Sequence, residues 1–316
     1  MKLPTQVQAT QHVLHEGLSK AINNSVLSTI NRCTLLGKVA QEPDFIADLV
    51  VEFTPKLFEL LTQILKPLKF SISSVFCHQK PLADIGEVIS PEIGDILFVL
   101  INTDIKGNKN LNSILFQAKI SANTSFKVPT SDAHQLKLYT QWPRFKYRRA
   151  GDLTGKSRDV TPKSVSTGAQ YMLIDNSISQ TIYPLTFPIG CAIPNSQITL
   201  HADLASELIC FLTYRTGRAF ADLGIMTDVW SRMIWDLLFI SKSKMSRRIN
   251  SGRNTFNRQN TIDYDGLSFL DTNALNRVSL FDDTRESIFS NEQQINFAFE
   301  SGAPSLVVIE CFETEE

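Results

Sequence analysis

No stretch of this 316-residue chain approaches the roughly 20 consecutive apolar residues that a membrane helix needs, which excludes a helical membrane span. The opening "MKLPTQVQATQHVLHEG" lacks the hydrophobic core of a signal peptide, so the expected location is cytoplasmic. Cysteine is scarce. Cys33, Cys77, Cys191, Cys210 and Cys311 are scattered, odd in number and mostly flanked by apolar residues, which fits small hydrophobes in a reducing compartment, not a disulfide framework or zinc site. There is no P-loop, no G-x-S-x-G elbow, no H-E-x-x-H and no internal repeat. Charge of one sign is missing as well: a net charge of −1 gives no general attraction to polyanions, so any nucleic-acid surface must be local.

What is present is a chain with 43% hydrophobic residues, enough for a substantial core in one large domain or two modest ones. Residues 8 to 37 carry Val13, Leu14, Leu18, Ala21 and Ile22 at helical spacing, predicting one or two helices. "QEPDFIADLVVEFTPKLFELLTQILK" is amphipathic, with Pro43 suited to a first helical turn and Pro55 marking a break or kink. From Lys69 the pattern turns β-like: "KFSISSVFCHQKP" alternates, "GDILFVLINT" is a continuous apolar run, and "GNKN" is a turn before "SILFQAKI". "SDAHQLKLYTQW" then reads as a helix capped by Ser131 or Asp132. "QYMLIDNSI" and "TIYPLTFPIG" read as strands, "LASELICFLTYRTGRAF" and "DVWSRMIWDLLFISKSK" as helices, and "PSLVVIECF" as a closing strand. Residues 247 to 300 are polar and weakly patterned.

Within "SILFQAKI", strand alternation sends Gln117 and Lys119 to one face and Phe116 and Ala118 to the other. A lone polar pair at a strand end is explained by a strand leaving the core with its lysine snorkelling. Upstream, however, Asp95 begins the apolar strand twenty-two positions before Gln117, with Gly94 leaving room beside it. An acid on one strand and a polar-x-Lys on the next meet if the strands are neighbours about 4.8 Å apart.

The spacing of "GDILFVL" and "LFQAK", in an order of helix, three strands, helix and strand, resembles the PD-(D/E)XK nuclease superfamily in its Gln-x-Lys variant, as in Mrr-like restriction enzymes and some antiphage effector nucleases. The resemblance spans roughly residues 40 to 145. It implies an α/β fold with a restriction-endonuclease-like mixed sheet flanked by helices. Three segments are expected: a helical segment over 1–40, the nuclease-like core over 41–150, and an α+β C-terminal elaboration over 151–316, packed on the same sheet. It implies metal-dependent hydrolysis of phosphodiester bonds, with Mg²⁺ or Mn²⁺ as cofactor, DNA as substrate and restriction or antiphage defence as role. Asp95 would be the central metal ligand, Gln117 a neutral ligand, Lys119 the catalytic cation, and the Ala118 carbonyl a further ligand. A first-helix acid would join them: Glu42 is favoured among Glu42, Asp44, Asp48 and Glu52, although acids at a helix start also serve the macrodipole. Glu92, three residues before Asp95, is the weaker alternative to Glu42 and otherwise a loop charge. A homodimer, or a complex with an ATPase or sensor protein, is the assembly such nucleases suggest; no membrane partner is expected.

Substrate contacts are sought in the strand-end cluster His78, Gln79 and Lys80, and in Gln135 on the following helix, with His134 and Lys137 competing for its role. "YTQWPRFKYRR" interleaves aromatic and basic residues; either its aromatics stack on bases or they are core with solvated cations around them. "SKSKMSRRINSGRNTFNR" contains no acid and offers Lys244, Arg247, Arg248 and Arg253 to a phosphate backbone. The rival reading is an inactive nuclease-fold scaffold that binds a partner.

Overall fold

The computed structural model describes residues 2–78, 80–177, 188–244, 268–270 (backbone only) and 302–315. The polar N-terminal stretch forms α1 (Leu3–Ala9) and α2 (Gln11–Leu35). The amphipathic segment after it is divided by its second proline. Pro43 lies in the first turn of α3 (Glu42–Asp48) and Pro55 in that of α4 (Thr54–Ile64), with a π-helical turn, Leu49–Phe53, between them. Proline has no N–H for the preceding turn, so the helix widens just ahead of it, and the Thr54 hydroxyl donates to the Leu49 carbonyl at 3.0 Å.

The strands and remaining helices follow as β1 (Lys69–Val75), β2 (Leu82–Asp84), β3 (Ile96–Thr103), β4 (Lys109–Ile120), β5 (Ser125–Lys127), α5 (Ala133–Gln141), β6 (Phe145–Arg148), β7 (Ser157–Arg158), β8 (Ala169–Ile174), β9 (Ile189–Ala192), β10 (Gln197–Thr199), β11 (Ala202–Asp203), α6 (Leu204–Leu212), β12 (Arg218–Ala219), α7 (Val229–Ser243), β13 (Ser268–Leu270) and β14 (Ser305–Phe312). The main sheet runs β11-β9-β8-β4-β3-β14-β1-β13, with β12 added to β4. β3/β14 and β4/β8 are parallel and the other pairs antiparallel, so this is a mixed α/β protein.

From Ile96 to Ile101 β3 is apolar because both its faces are covered. Ile96, Phe98 and Leu100 face a core shared with Leu14, Phe45, Phe53, Leu57 and Leu208, while Leu97, Val99 and Ile101 face one shared with Tyr139, Trp142, Tyr147, Trp230 and Leu237. Thus α1–α4 and α6 cover one side of the sheet, and α5, α7 and β6 the other. The aromatics of "YTQWPRFKYRR" belong to this second core: Tyr139, Trp142, Phe145 and Tyr147 are all buried. They are not available to stack on bases.

The sequence order does not give the strand order. β14 enters between β1 and β3, antiparallel to the first and parallel to the second, because a strand buried along both faces needs two hydrogen-bonding neighbours and two covering layers. The short β2 pairs outside the main sheet, with β6. Of the strand expected near 181–190, residues 178–187 lie outside the described residues, and β9 begins at Ile189. The five cysteines are free thiols, four buried and Cys210 partly so.

α6 carries a buried carboxylate, Glu207, that holds it to β8. Its Oε1 accepts from Gln170 Nε2 and Thr216 Oγ1, each at 2.5 Å, and its Oε2 lies 3.2 Å from His201 Nε2. Burial alone would raise its pKa; the hydrogen bonds from His201, Thr216 and Gln170 outweigh that and hold it below the usual carboxylate value. A lowered folded pKa contributes stability that is present above the unfolded value, about 4.3, and lost as pH falls through the folded one. Glu207→Gln is therefore expected to cost about 1–3 kcal/mol near neutral pH, with the gap to wild type closing on acidification below about pH 4. Urea denaturation at a series of pH values reads this directly, and a gap that widens toward acid contradicts it.

Candidate active site

The register of β3 and β4 pairs Ile96 with Phe116. One step beyond, Asp95 faces Gln117, and the Asp95 N–H donates to the Phe116 carbonyl at 2.8 Å. β4 outruns β3 here and continues to Ile120 along β8, so the side toward β3 is open from Gln117 onward. Asp95 fills that opening. Its Oδ2 accepts from Gln117 Nε2 at 2.5 Å and from the Ala118 N–H at 2.8 Å. Its carbonyl accepts from Ser305 N at 2.9 Å, which ties the site to the start of β14. Gly94 is needed for this approach: a Cβ there would lie 2.6 Å from Leu115 Cδ1 and 2.9 Å from the Tyr139 hydroxyl.

α5 supplies one wall. Asp132, Gln135 and Tyr139 recur at i, i+3 and i+7, one helical face. Asp132 Oδ2 is 2.8 Å from Lys119 Nζ, and the Tyr139 hydroxyl donates to the Ile93 carbonyl at 2.8 Å. Gln135 lies between them, buried, its Nε2 without a hydrogen-bond partner. Asp132 does occupy the cap position of α5, but its side chain makes no capping bond. The carboxylate pairs with Lys119 instead. From the opposite layer, Glu42 Oε1 accepts from the Ile120 N–H at 3.2 Å. Lys80, buried at the end of the β1 segment, donates from Nζ to the Cys77 carbonyl at 2.7 Å.

Three carboxylates here are held above their usual pKa. Burial is the main cause for Asp95, only partly offset by Lys80, the Ala118 N–H and Lys119. Burial also raises Glu42, with Asp95 adding to it and Lys119 opposing. Glu92 is raised by burial and by Asp95, against Lys80, Lys119 and a hydrogen bond from Gln117. The cluster is short of positive charge. Lys119 goes the other way: burial would lower it, but the Asp132 contact together with Glu42 and Asp95 raises it. It is a cation at neutral pH, suited to charge stabilisation and to orienting water, not to taking a proton.

Nitrogens hold Asp95 itself, but Glu42, Glu92 and the Gln117 amide bring oxygens into the same cluster, the ligand type of a hard divalent cation. Among the described residues, Gln117 Oε1 is buried with no hydrogen-bond partner. That orphaned oxygen beside a charge-deficient carboxylate fits Mg²⁺ or Mn²⁺. Among the described residues, no three His, Cys, Asp or Glu side chains converge tightly enough to hold a metal by themselves. A cation would therefore rest on Asp95 and the Gln117 amide oxygen, with Glu42 and Glu92 as nearby charge. Ala118 meets Asp95 through its N–H, which donates to the carboxylate.

Of the substrate candidates, Lys80 and Gln135 face this cluster, while His78 is exposed. Lys244 follows the last turn of α7, whose Ser241 donates to the Pro304 carbonyl, one residue before Ser305. Gln79, Arg247, Arg248 and Arg253 lie outside the described residues. Sequence reasoning undervalued two acids. Asp132 was legible only as a helix cap, and Glu92 as no more than a weaker alternative to Glu42. The available signal for Asp132 was its spacing of three and seven from Gln135 and Tyr139.

The chain matches no protein-family model, no curated protein and no solved structure. Among the described residues, no helix is long and apolar enough to cross a membrane.

Proposed function

We propose that this protein is a metal-dependent nuclease of the PD-(D/E)XK type, with a restriction-endonuclease-like core, that hydrolyses phosphodiester bonds of DNA in restriction or antiphage defence. The observation that carries the reading is the pairing of Asp95 with Gln117 across two strand ends, Lys119 two residues on, and the Gln117 amide oxygen left without a partner. Asp95 and Gln117 would hold the cation. Bound there, Mg²⁺ or Mn²⁺ supplies Lewis acidity and a water of lowered pKa. Asp95 is kept in place by two donors on one oxygen, so its orientation is set before substrate arrives. Lys119, protonated and steadied by Asp132, stabilises the negative charge that builds on the phosphoryl oxygens and orients the attacking water. Lys80 contributes a second buried positive charge on the Asp95 side.

Supercoiled plasmid incubated with the purified chain and Mg²⁺ or Mn²⁺ tests this. Nicking or linearisation is expected, abolished by chelation and reduced on the order of 10²-fold or more by Lys119→Ala, the scale of losing one charge-stabilising group. Wild-type activity in Lys119→Ala, or none from the wild type with either cation, overturns the reading.

A second reading rests on the failure of three acids among the described residues to converge on one point. It takes the chain as an inactive nuclease-fold scaffold for a partner protein, and the same plasmid assay separates the two.

A further inference from the structure

Between Arg144 and Lys156 the chain carries Arg144, Lys146, Arg148, Arg149 and Lys156 against a single acid, Asp152. β6 sorts these residues. Phe145 and Tyr147 are buried beneath the strand, so alternation turns Lys146 and Arg148 to solvent, and both are exposed. Arg149 and Lys156 are exposed as well. Among the described residues none of the four is in a salt bridge, although Asp84 is the register partner of Lys146 and carries opposite charge. Asp84 also accepts from the Gly86 N–H, and nearby Glu87 pairs with Lys137. Arg148 is steadied by a neutral group, donating from Nη1 to the Ser90 hydroxyl at 3.2 Å.

The register connects this face to the active-site cluster. Arg148 pairs with Leu82 on β2, and Leu82 bridges to Glu92 on its other side. The neighbouring bonds Ile93 N to Pro81 O at 2.9 Å and Ala83 N to Pro91 O at 2.8 Å hold that edge. Directly opposed residues project to the same face, so Glu92, Leu82 and Arg148 share it, and two strand spacings place Arg148 about 10 Å from Glu92. Arg149 is anchored from the other direction. Its φ is 52°, a left-handed conformation uncommon for arginine, and its carbonyl accepts from Gly302 N at 2.5 Å. Gly302 in turn is pressed on Lys80: a Cβ there would lie 2.5 Å from the Lys80 carbonyl carbon and oxygen. The cationic turn is thus packed beside the lysine that faces Asp95.

We infer that the exposed face of β6, Lys146 and Arg148 with Arg149 at its end, is a backbone-binding ledge that carries duplex DNA past Asp95 and Gln117. The assignment rests on the nuclease reading for its substrate and on charge complementarity for its occupant. A protein of net charge −1 has no general affinity for a polyanion, so an unpaired cationic strip continuous with the site is where a phosphate backbone would be held. Contacts of this kind position the strand without reading bases.

The test uses the full chain with Lys146→Gln and Arg148→Gln together. A control carries Lys20→Gln and Lys56→Gln, on α2 and α4 across the sheet, with the same change in charge. Binding of a short fluorescent DNA duplex, without divalent cation, is followed by anisotropy between about 50 and 200 mM salt. The ledge variant is expected to bind at least about tenfold more weakly, with a log–log salt slope shallower by about 1.8 for two lost phosphate contacts. The control should match wild type. An unchanged slope in the ledge variant, an equal loss in the control, or tighter binding of duplex RNA overturns the assignment. Duplex binding that depends on the ledge in a wild-type chain that cuts nothing removes the hydrolase and leaves the ledge standing.

Discussion

Asp95→Asn is expected to lose on the order of 10³-fold or more in cleavage while its fold is unharmed or strengthened. The two effects share one cause. The Asp95 carboxylate is buried, and its pKa is raised because Lys80, the Ala118 N–H and Lys119 do not make good the hydration it loses. Asparagine keeps a carbonyl oxygen to accept from Gln117 Nε2 and Ala118 N, and removes the charge. A gain of about 0.5–2 kcal/mol follows, the usual range where a site is strained for function. In a chain of this size that is a Tm rise of about 1–4 °C. Thermal unfolding in the absence of divalent cation, beside the plasmid assay, measures both. A variant that still cuts removes Asp95 from the site. A variant that unfolds at distinctly lower temperature shows that the carboxylate stabilises the sheet, and that its burial is structural.

Gln117→Glu is expected to make cation binding and stability strongly interdependent. Gln117 Nε2 now donates to Asp95 Oδ2 at 2.5 Å, so a carboxylate there sets two anionic oxygens against each other in a buried site. Both cannot ionise without a cation between them, and the cation-free variant should lose about 1–3 kcal/mol. Mg²⁺ or Mn²⁺ relieves that repulsion. Affinity should rise about 100-fold, equivalent to about 2.7 kcal/mol of ligand-linked stabilisation, and some cleavage should persist. Gln117→Ala deletes both the donor to Asp95 and the unpartnered oxygen, and most activity should go with them. Calorimetric titration of the two variants, with and without Glu42→Gln, decides whether the helix acid shares the cation. If Gln117→Glu leaves affinity unchanged while Lys119 stays essential, the amide lies outside the metal shell and serves the substrate.

How much of this site could be read beforehand differs residue by residue. The meeting of Asp95 with Gln117 was legible because strand alternation and a short turn around Gly107, here Asp104–Asn108, leave little freedom in how two consecutive strands pair. Glu42 was legible as one of four acids; its contact with the Ile120 N–H and its nearness to Lys119 and Asp95 separate it from Asp44, Asp48 and Glu52, which pair with Lys38 and Arg32 instead. The partner of Lys119 was not legible. Asp132 looks like a helix cap in sequence because its position and type suit one, and whether its carboxylate turns to its own helix or to a strand depends on where α5 docks. The interleaved aromatics and cations after α5 left two meanings open, and packing separated them: the rings went into the core and the charges stayed outside.

By itself the sequence determined what local chemistry controls. It set the helices and strands with strong periodicity, the interruption of the helix at Pro55, the apolar run that must be buried on both faces, and the face on which Gln117 and Lys119 lie. The tertiary structure alone decided the strand order, with β14 between β1 and β3, and the gathering of Glu42, Lys80, Glu92 and Asp132 around one strand end. The physical reason is separation along the chain. Pairing β14 with β1 or β3 closes loops of some two hundred residues or more, and the entropy of such closure grows so slowly with length that no short-range pattern reveals which strands will meet. Only burial of both faces of the sheet, summed over the whole core, selects that arrangement.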